Sequence, residues 1–209
     1  MMRDGLVSRL VDDIDIDKQA YKPAIVFING VYWGIHNIRE KINEDYLAQH
    51  HNVDPDSLDI LENFGEIVEG DETEYFELYN YIENNSMAVP TNYEFVKSKM
   101  DVDDFIRYQV TEIYIDNQDW PGNNIKFWKQ KFVNTWRWIL FDTDFGFGIW
   151  DNNAYQNNTL NFATATNGPD WPNPPWSTLL LRKLLVNNSF RYDFINCFAD
   201  FSNTIFNAG

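Results

Sequence analysis

Apolar residues along the chain alternate between the spacing of helices and that of strands. Residues 1–14 carry Leu and Ile at four-residue intervals with Val beside them, which predicts an amphipathic helix. Two apolar runs, 23–28 and 31–38, flank Asn29-Gly30. This dipeptide favours the tight turn of a β-hairpin, so the two runs are predicted to be antiparallel strands.

The later segments predict mostly helices around a second hairpin. Predicted helices cover residues 43–51, 71–86, 91–99, 101–116, 175–188 and 189–206. The runs 124–131 and 135–142 predict two further strands joined across Val133-Asn134, and residues 57–63 predict a short extended or turn element. Residues 151–175 show no periodicity and are predicted to form a loop of about 25 residues, a length that is usually functional or disordered. The order of elements is typical of an α+β fold, with small antiparallel hairpins packed on a mainly helical mass.

The composition narrows the possible functions. The chain has 209 residues, of which 44% are hydrophobic, and this suits one packed domain. Its net charge of -16 would repel nucleic acid and anionic membranes, and would also repel a nucleoside triphosphate unless divalent cations neutralise part of the site. No apolar run approaches the roughly 20 residues of a membrane span. The single cysteine, Cys197, excludes an internal disulfide and a zinc site built from several thiolates.

Candidate chemistry is concentrated in residues 119–148. Asp119 follows a long predicted helix, Asn124 comes five positions later, the last predicted strand ends at Asp142, and Asp144 begins a literal Asp-Phe-Gly segment at 144–146. Phosphoryl transfer needs a carboxylate that accepts the proton of the substrate hydroxyl and oxygen ligands for magnesium. Magnesium prefers such hard oxygen ligands. Plain turns between strands would use the same residue types, so the order of the elements is more specific than the letters.

Two motifs resemble the spore coat protein H (CotH) kinase family. The segment "INGVYWGIHNIREKINEDYL" at 28–47 resembles its signature hairpin, and "WRWILFDTDFGFG" at 136–148 resembles its strand followed by Asp-x-Asp. The resemblance covers about residues 3–148. It implies an atypical protein-kinase-like fold, with residues 1–69 as the remnant of an N-lobe and hinge and residues 70–209 as a C-lobe.

The resemblance also implies roles for single residues. Asp119 would be the catalytic base, and Asn124 and Asp142 would ligate Mg²⁺ or Mn²⁺. Asp144 would be a further ligand or a residue that contacts the ligands without binding the metal itself. Asp142 fits the family better as the main ligand, whereas the Asp-Phe-Gly letters favour Asp144, so both stay open.

The first hairpin would contribute to nucleotide binding. Tyr32 and Trp33 could form the walls of an adenine slot, and Glu40 stands where a kinase hinge would begin. No phosphate-binding lysine or glycine-rich cover is recognisable. The chain begins in what resembles the helix after the lysine strand, so the resemblance implies either an N-terminally truncated domain or a family member that does not catalyse.

The implied function is an ATP-dependent phosphotransferase that acts on Ser/Thr hydroxyls of secreted or surface proteins, located outside the cell or on its surface. Two alternatives remain open. One is a non-enzymatic module that binds glycan or protein through Trp120, Trp171 and Trp176. The other is a glycosyltransferase that holds a manganese sugar nucleotide on Asp142 and Asp144, although the helix-rich stretch 42–116 lacks the βαβ region it would need.

Overall fold

The computed structural model describes residues 2–132 and 135–206. The α-helices are α1 Met2–Leu10, α2 Glu44–His51, α3 Thr73–Asn84, α4 Pro90–Lys97, α5 Val102–Tyr114, α6 Thr159–Ala163, α7 Leu179–Leu184 and α8 Asn188–Asn203. The strands are β1 Asp17–Lys18, β2 Tyr21–Ile28, β3 Val31–Arg39, β4 Leu58–Glu62, β5 Glu66–Glu69, β6 Lys126–Gln130 and β7 Arg137–Leu140. Short 3₁₀ turns span Pro55–Ser57 and Ala154–Gln156. The predicted α+β class is confirmed.

The second predicted hairpin is the centre of a larger sheet. Strands β6 and β7 pair as expected, but the sheet has five strands in the order β1-β7-β6-β4-β5, with β1 parallel to β7 and the other pairs antiparallel. The sequence had predicted the pairing of β6 with β7 but not that of β1, β4 and β5 with them. The residues that connect β6 and β7, Val133-Asn134, lie outside the described residues. The pairing of β4 with β6 joins segments far apart in sequence, which local periodicity cannot reveal.

Both faces of this sheet are covered. Phe127 and Trp138 point into the large core shared with α3 and α5, whereas Trp128 and Ile139 point into a smaller cluster with α2. Successive strand residues point to opposite faces, so burial on both sides gives continuous apolar runs rather than alternation. The ends of β6 and β7 are thus fixed in the interior, and the candidate site lies at those ends.

The first hairpin matches its prediction. Asn29 and Gly30 have φ values of 52° and 81°, which suit a two-residue turn with both central residues in the left-handed region. Its base meets α1, where Gly5 lies against the ring of Tyr21, and a Cβ on that glycine would be 2.7 Å from the ring. Only glycine allows this approach, which brings the start of α1 next to the end of β3.

The predicted helices are present, with caps that explain their starts. The Asn43 side chain accepts from the Tyr46 amide before α2, and that of Asp101 accepts from the Asp104 amide before α5. The loop predicted at 151–175 is more structured than expected, since it contains α6 and a 3₁₀ turn. Asn158 caps α6, a local signal that apolar periodicity misses.

No helix in the described part of the chain is long and apolar enough to cross a membrane. The division into an N-lobe remnant at 1–69 and a C-lobe at 70–209 stays a prediction.

Candidate functional site

Asp119 lies in the loop that follows α5, and several N–H groups point at its carboxylate. Asn123 Nδ2 donates to Oδ1 over 2.9 Å, and Asn124 Nδ2 donates to Oδ2 over 2.9 Å. The indole nitrogen of Trp171 donates to Oδ1 over 3.1 Å. Because every one of these partners is a donor, the arrangement suits an ionised carboxylate and fixes its orientation.

Asn124 joins this loop to the segment after β7. Its amide nitrogen, which bonds to Asp119, also lies 3.5 Å from the backbone oxygen of Asp142. Asn124 and Asp142 both have positive φ values, 54° and 51°. Such backbone is uncommon for residues other than glycine and is found at functional sites. The structure thus places the side chains of Asp119 and Asn124 beside the backbone of Asp142, and the roles predicted for these residues stay predictions.

The carboxylates around Asp142 act on one another. Burial raises the pKa of Asp142 above its usual range, and the negative charges of Asp144, Asp4 and Asp119 raise it further. The positive charge of Arg39 lowers it in part. A nearby cation would stabilise the ionised form of Asp142, so the surroundings of this residue suit a divalent ion.

The Asp-Phe-Gly segment packs on the end of α5. The backbone amide of Phe147 donates to the oxygen of Ile115 over 2.6 Å, and Gln118 donates to the oxygen of Phe145 over 3.4 Å. The segment also turns on itself, with the amide of Gly146 donating to Thr143 over 3.1 Å. These bonds hold the Asp142–Asp144 region beside the Asp119 loop.

Helix α1 and strand β3 contribute two residues that sequence reasoning missed. Asp4 is buried, and its Oδ1 accepts from both the backbone amide and the hydroxyl of Thr143, each over 3.1 Å. Its Oδ2 pairs with Arg39 over 2.7 Å. No spacing rule connects residues 4, 39 and 143, so the sequence carries no signal for this contact.

A buried glutamate supports the Asp119 loop from behind. Glu112 on α5 is fully buried and accepts from Asn117 Nδ2 over 2.9 Å, while Asn117 Oδ1 accepts from the backbone amide of Asp119 over 3.2 Å. Burial raises the pKa of Glu112 to about 8, with Asn117 lowering it in part. Glu112 occupies a core-facing position of α5, where an apolar residue is expected. Nothing in the surrounding sequence indicated a buried carboxyl there.

The segment 151–175 borders the site. Besides the Trp171 contact, the amide of Gly122 donates to the backbone oxygen of Pro172 over 2.6 Å. At its other end, the Asp116 carboxylate accepts from the side chains of Asn157 and Thr159 over 2.8 and 2.7 Å. The segment is therefore attached at both ends to the loop that follows α5.

The predicted adenine-binding residues lie on and below the first hairpin. Tyr32 and Trp33 are near its tip, with 57% and 63% of their surface exposed. The Glu40 carboxylate accepts from the Ala20 amide over 2.9 Å and bonds with His50 over 3.0 Å. An adenine slot formed by these residues stays a prediction.

The donor set fits magnesium. Since the Asn124 amide nitrogen bonds to Asp119, its Oδ1 is the atom that this residue can offer to a cation, together with carboxylate oxygens of Asp142 and Asp144. Within residues 2–132 and 135–206, no three His, Cys, Asp or Glu side chains cluster closely enough to hold a metal by themselves. A site here would accordingly combine amide and carboxylate oxygens with water, as magnesium sites commonly do.

Comparison with known families decides the relationship. A family model described as CotH kinase protein matches residues 1–209. The chain belongs to the CotH kinase family. No curated protein matches it. The predicted resemblance is confirmed, and membership supports a kinase-like enzyme that uses ATP and a divalent metal.

As a CotH kinase family member, the chain carries its predicted catalytic and metal-binding residues on two segments. Asp119 and Asn124 lie in one loop, Asp142 and Asp144 follow β7, and the added pair of Asp4 and Arg39 closes the cluster from α1 and β3. The family match does not assign these roles, which are argued below from the geometry.

Proposed function

We propose that the protein is a magnesium- and ATP-dependent phosphotransferase that phosphorylates Ser/Thr hydroxyls of proteins. The observation that supports this most is the convergence of Asp119, Asn124 and Asp142 from two loops, with an amide bridge between them. Kinase chemistry requires this combination of a hydroxyl-orienting carboxylate and metal-binding oxygens.

Asp119 is the proposed catalytic base. Its carboxylate is held by Asn123, Asn124 and Trp171, so it can accept the proton of an incoming hydroxyl without first having to reorient. Because the segment 151–175 contributes Trp171 and borders the loop, we propose that it also contacts the protein substrate.

Asn124, Asp142 and Asp144 are the proposed metal ligands, with Asp142 as the main one. Bound Mg²⁺ or Mn²⁺ would neutralise charge on the phosphates of ATP. The same cation would offset the repulsion between Asp142 and Asp144. Because it contacts both the carboxylates and the phosphates, metal binding and nucleotide binding would be coupled. Tyr32, Trp33 and Glu40 are proposed to bind the adenosine portion.

The site and the family together suggest where the protein acts. Family resemblance favours substrates that are secreted or on the cell surface, so we propose an extracellular or surface location. The net charge of -16 makes nucleic acid an unfavourable partner.

The glycan-binding alternative has weaker support. Of its three tryptophans, Trp120 is only 1% exposed and its indole donates to Tyr108 in the core. Trp171 is exposed, but its indole nitrogen is used by Asp119. A flat aromatic platform for sugars would need these rings on one open surface.

Thermal unfolding tests the proposal through binding linkage. A ligand that binds only the native state raises its stability by the binding free energy. Magnesium and ATP together should raise the melting temperature more than the sum of their separate effects, and Asp142→Ala should abolish that joint effect. Arg191→Gln, an exposed change on α8, serves as the control. A joint effect that survives in Asp142→Ala argues against the proposed metal site.

A further inference from the structure

A cation lies beside the acidic cluster. Arg39 ends β3 and pairs with Asp4 over 2.7 Å, and Asp4 in turn accepts from the amide of Thr143, the neighbour of Asp142. The cluster contains Asp4, Asp119, Asp142 and Asp144, so a triphosphate that approaches it meets strong repulsion. A positive side chain at this place would offset part of that repulsion.

Lysines that could take this role are bound elsewhere. Lys18 donates to the backbone oxygen of Val11 over 2.8 Å and pairs with Asp12. Lys126 pairs with Glu62 over 2.6 Å. Arg39, by contrast, lies where the first hairpin meets the Asp142–Asp144 segment.

The geometry of Arg39 leaves donors for a second anion. A guanidinium has five N–H groups in a planar fork, and the contact with Asp4 is made through Nη2. About a quarter of the side chain is exposed, 28%, whereas that of Asp4 is almost fully buried at 7%. Arg39 is therefore held from behind by a buried carboxylate and open on another side, a pose in which arginine binds phosphate in bidentate fashion.

Asp4 links this arginine to the metal-binding segment. One carboxylate oxygen pairs with Arg39 and the other accepts two bonds from Thr143, the residue between Asp142 and Asp144. The relative position of the arginine and the proposed metal ligands is thus fixed by one buried side chain. Gly5, which lets α1 approach Tyr21, places Asp4 there.

We propose that Arg39, positioned by Asp4, is a residue that binds the phosphates of the nucleotide at this site. The inference rests on the proposed function. It assigns to β3 a phosphate-binding group and to α1 the residue that aligns this group with the metal ligands.

Calorimetric titration of the whole chain tests the assignment. At saturating Mg²⁺, Arg39→Gln should weaken ATP binding roughly 10- to 100-fold, the range expected for losing charge-assisted hydrogen bonds. Arg39→Lys should lose less, because the charge remains while the fork is gone. Adenosine, which has no phosphate, should bind wild type and Arg39→Gln equally. Mg²⁺ alone should bind Arg39→Gln at least as tightly as wild type, since a positive charge near Asp142 has been removed.

Controls separate binding from folding. Arg39→Gln leaves the buried Asp4 carboxylate unpaired, so the double variant Asp4→Asn/Arg39→Gln removes both charges and should fold while still binding ATP weakly. Arg191→Gln on α8 should bind ATP like wild type. If both Arg39 variants and the double variant are folded and bind Mg²⁺-ATP within about twofold of wild type, the assignment of Arg39 is wrong while the proposed function stands. If wild type itself does not bind Mg²⁺-ATP, the proposed function fails and the assignment fails with it.

Discussion

Asn124 donates its side-chain amide to Asp119 Oδ2 over 2.9 Å, which ties the proposed metal ligand to the proposed base. The same nitrogen lies 3.5 Å from the backbone oxygen of Asp142, so one side chain connects the loop after α5 with the segment after β7. A base and a metal site built on one shared contact are expected to respond differently to mutation, since the base acts on the hydroxyl and the ligands act on the phosphates.

Asp119→Ala should separate chemistry from binding. A general base acts mainly in the transition state, so phosphate transfer should fall by about 10²- to 10⁴-fold while the Kd for Mg²⁺-ATP changes by less than about threefold. Transfer rates and titration calorimetry on the same preparation measure both. Parallel losses in binding and transfer would show that Asp119 instead holds the nucleotide.

Alanine variants of Asp142 and Asp144 should rank the two candidate ligands. Asp142 lies next to the Asn124 contact, so Asp142→Ala should weaken Mg²⁺ binding more than Asp144→Ala does. Because the charge of Asp144 raises the pKa of Asp142, removing Asp144 should also shift the pH at which Mg²⁺ binding is lost to lower values. Calorimetric Mg²⁺ titrations across a pH series measure both effects. A larger loss in Asp144→Ala would reverse the ranking.

Glu112→Gln should change how stability depends on pH. The pKa of Glu112 is raised from 4.5 to about 8 by burial, so between these values the folded state keeps a proton that the unfolded state has released. The folded state binds more protons in this window, and the stability that Glu112 contributes falls as pH rises from 4.5 to about 8.

Glutamine imitates the protonated acid and does not titrate. The free energy of unfolding of Glu112→Gln relative to wild type should therefore increase steadily across that window. Urea unfolding at several pH values measures it, with the exposed Glu77→Gln as the control for removing a carboxylate from a helix surface. A pH-independent difference would mean that Glu112 is ionised in the folded protein.

Trp33→Ala tests the proposed adenine contact. Stacking of a base on an aromatic ring contributes roughly 1–3 kcal/mol of binding free energy. Losing the ring should therefore weaken the binding of adenosine and of ATP by the same amount of free energy. Tyr192→Ala, which removes an equally exposed aromatic from α8, is the control. Unchanged adenosine binding in Trp33→Ala would remove this hairpin from the nucleotide site.

The sequence predicted the features of this molecule that depend on residues close to one another in the chain. Asn29-Gly30 predicted one hairpin, and Asn43 predicted the start of α2. Each of these depends on residues within a few positions of one another, where backbone and side-chain preferences act directly.

The remaining features depend on contacts between distant segments. Strand β4 joins β6 through pairs such as Ile60 with Trp128, and Asp4 reaches Thr143 across most of the chain. Such contacts are decided by how the whole core packs, and a short apolar run or a lone aspartate gives no sign of its partner. Glu112 shows the same limit, since only the fold reveals that its carboxyl is buried against Asn117.

Transfer of labelled phosphate tests the central claim most directly. The whole chain would be incubated with Mg²⁺, ATP labelled at the γ-phosphate and a Ser-rich protein acceptor, alongside Asp119→Ala and a sample with the metal chelated. The account predicts label on Ser or Thr of the acceptor for wild type, and none for the variant or without metal. Wild type that binds Mg²⁺-ATP but transfers no label, or Asp119→Ala that transfers as well as wild type, would contradict it.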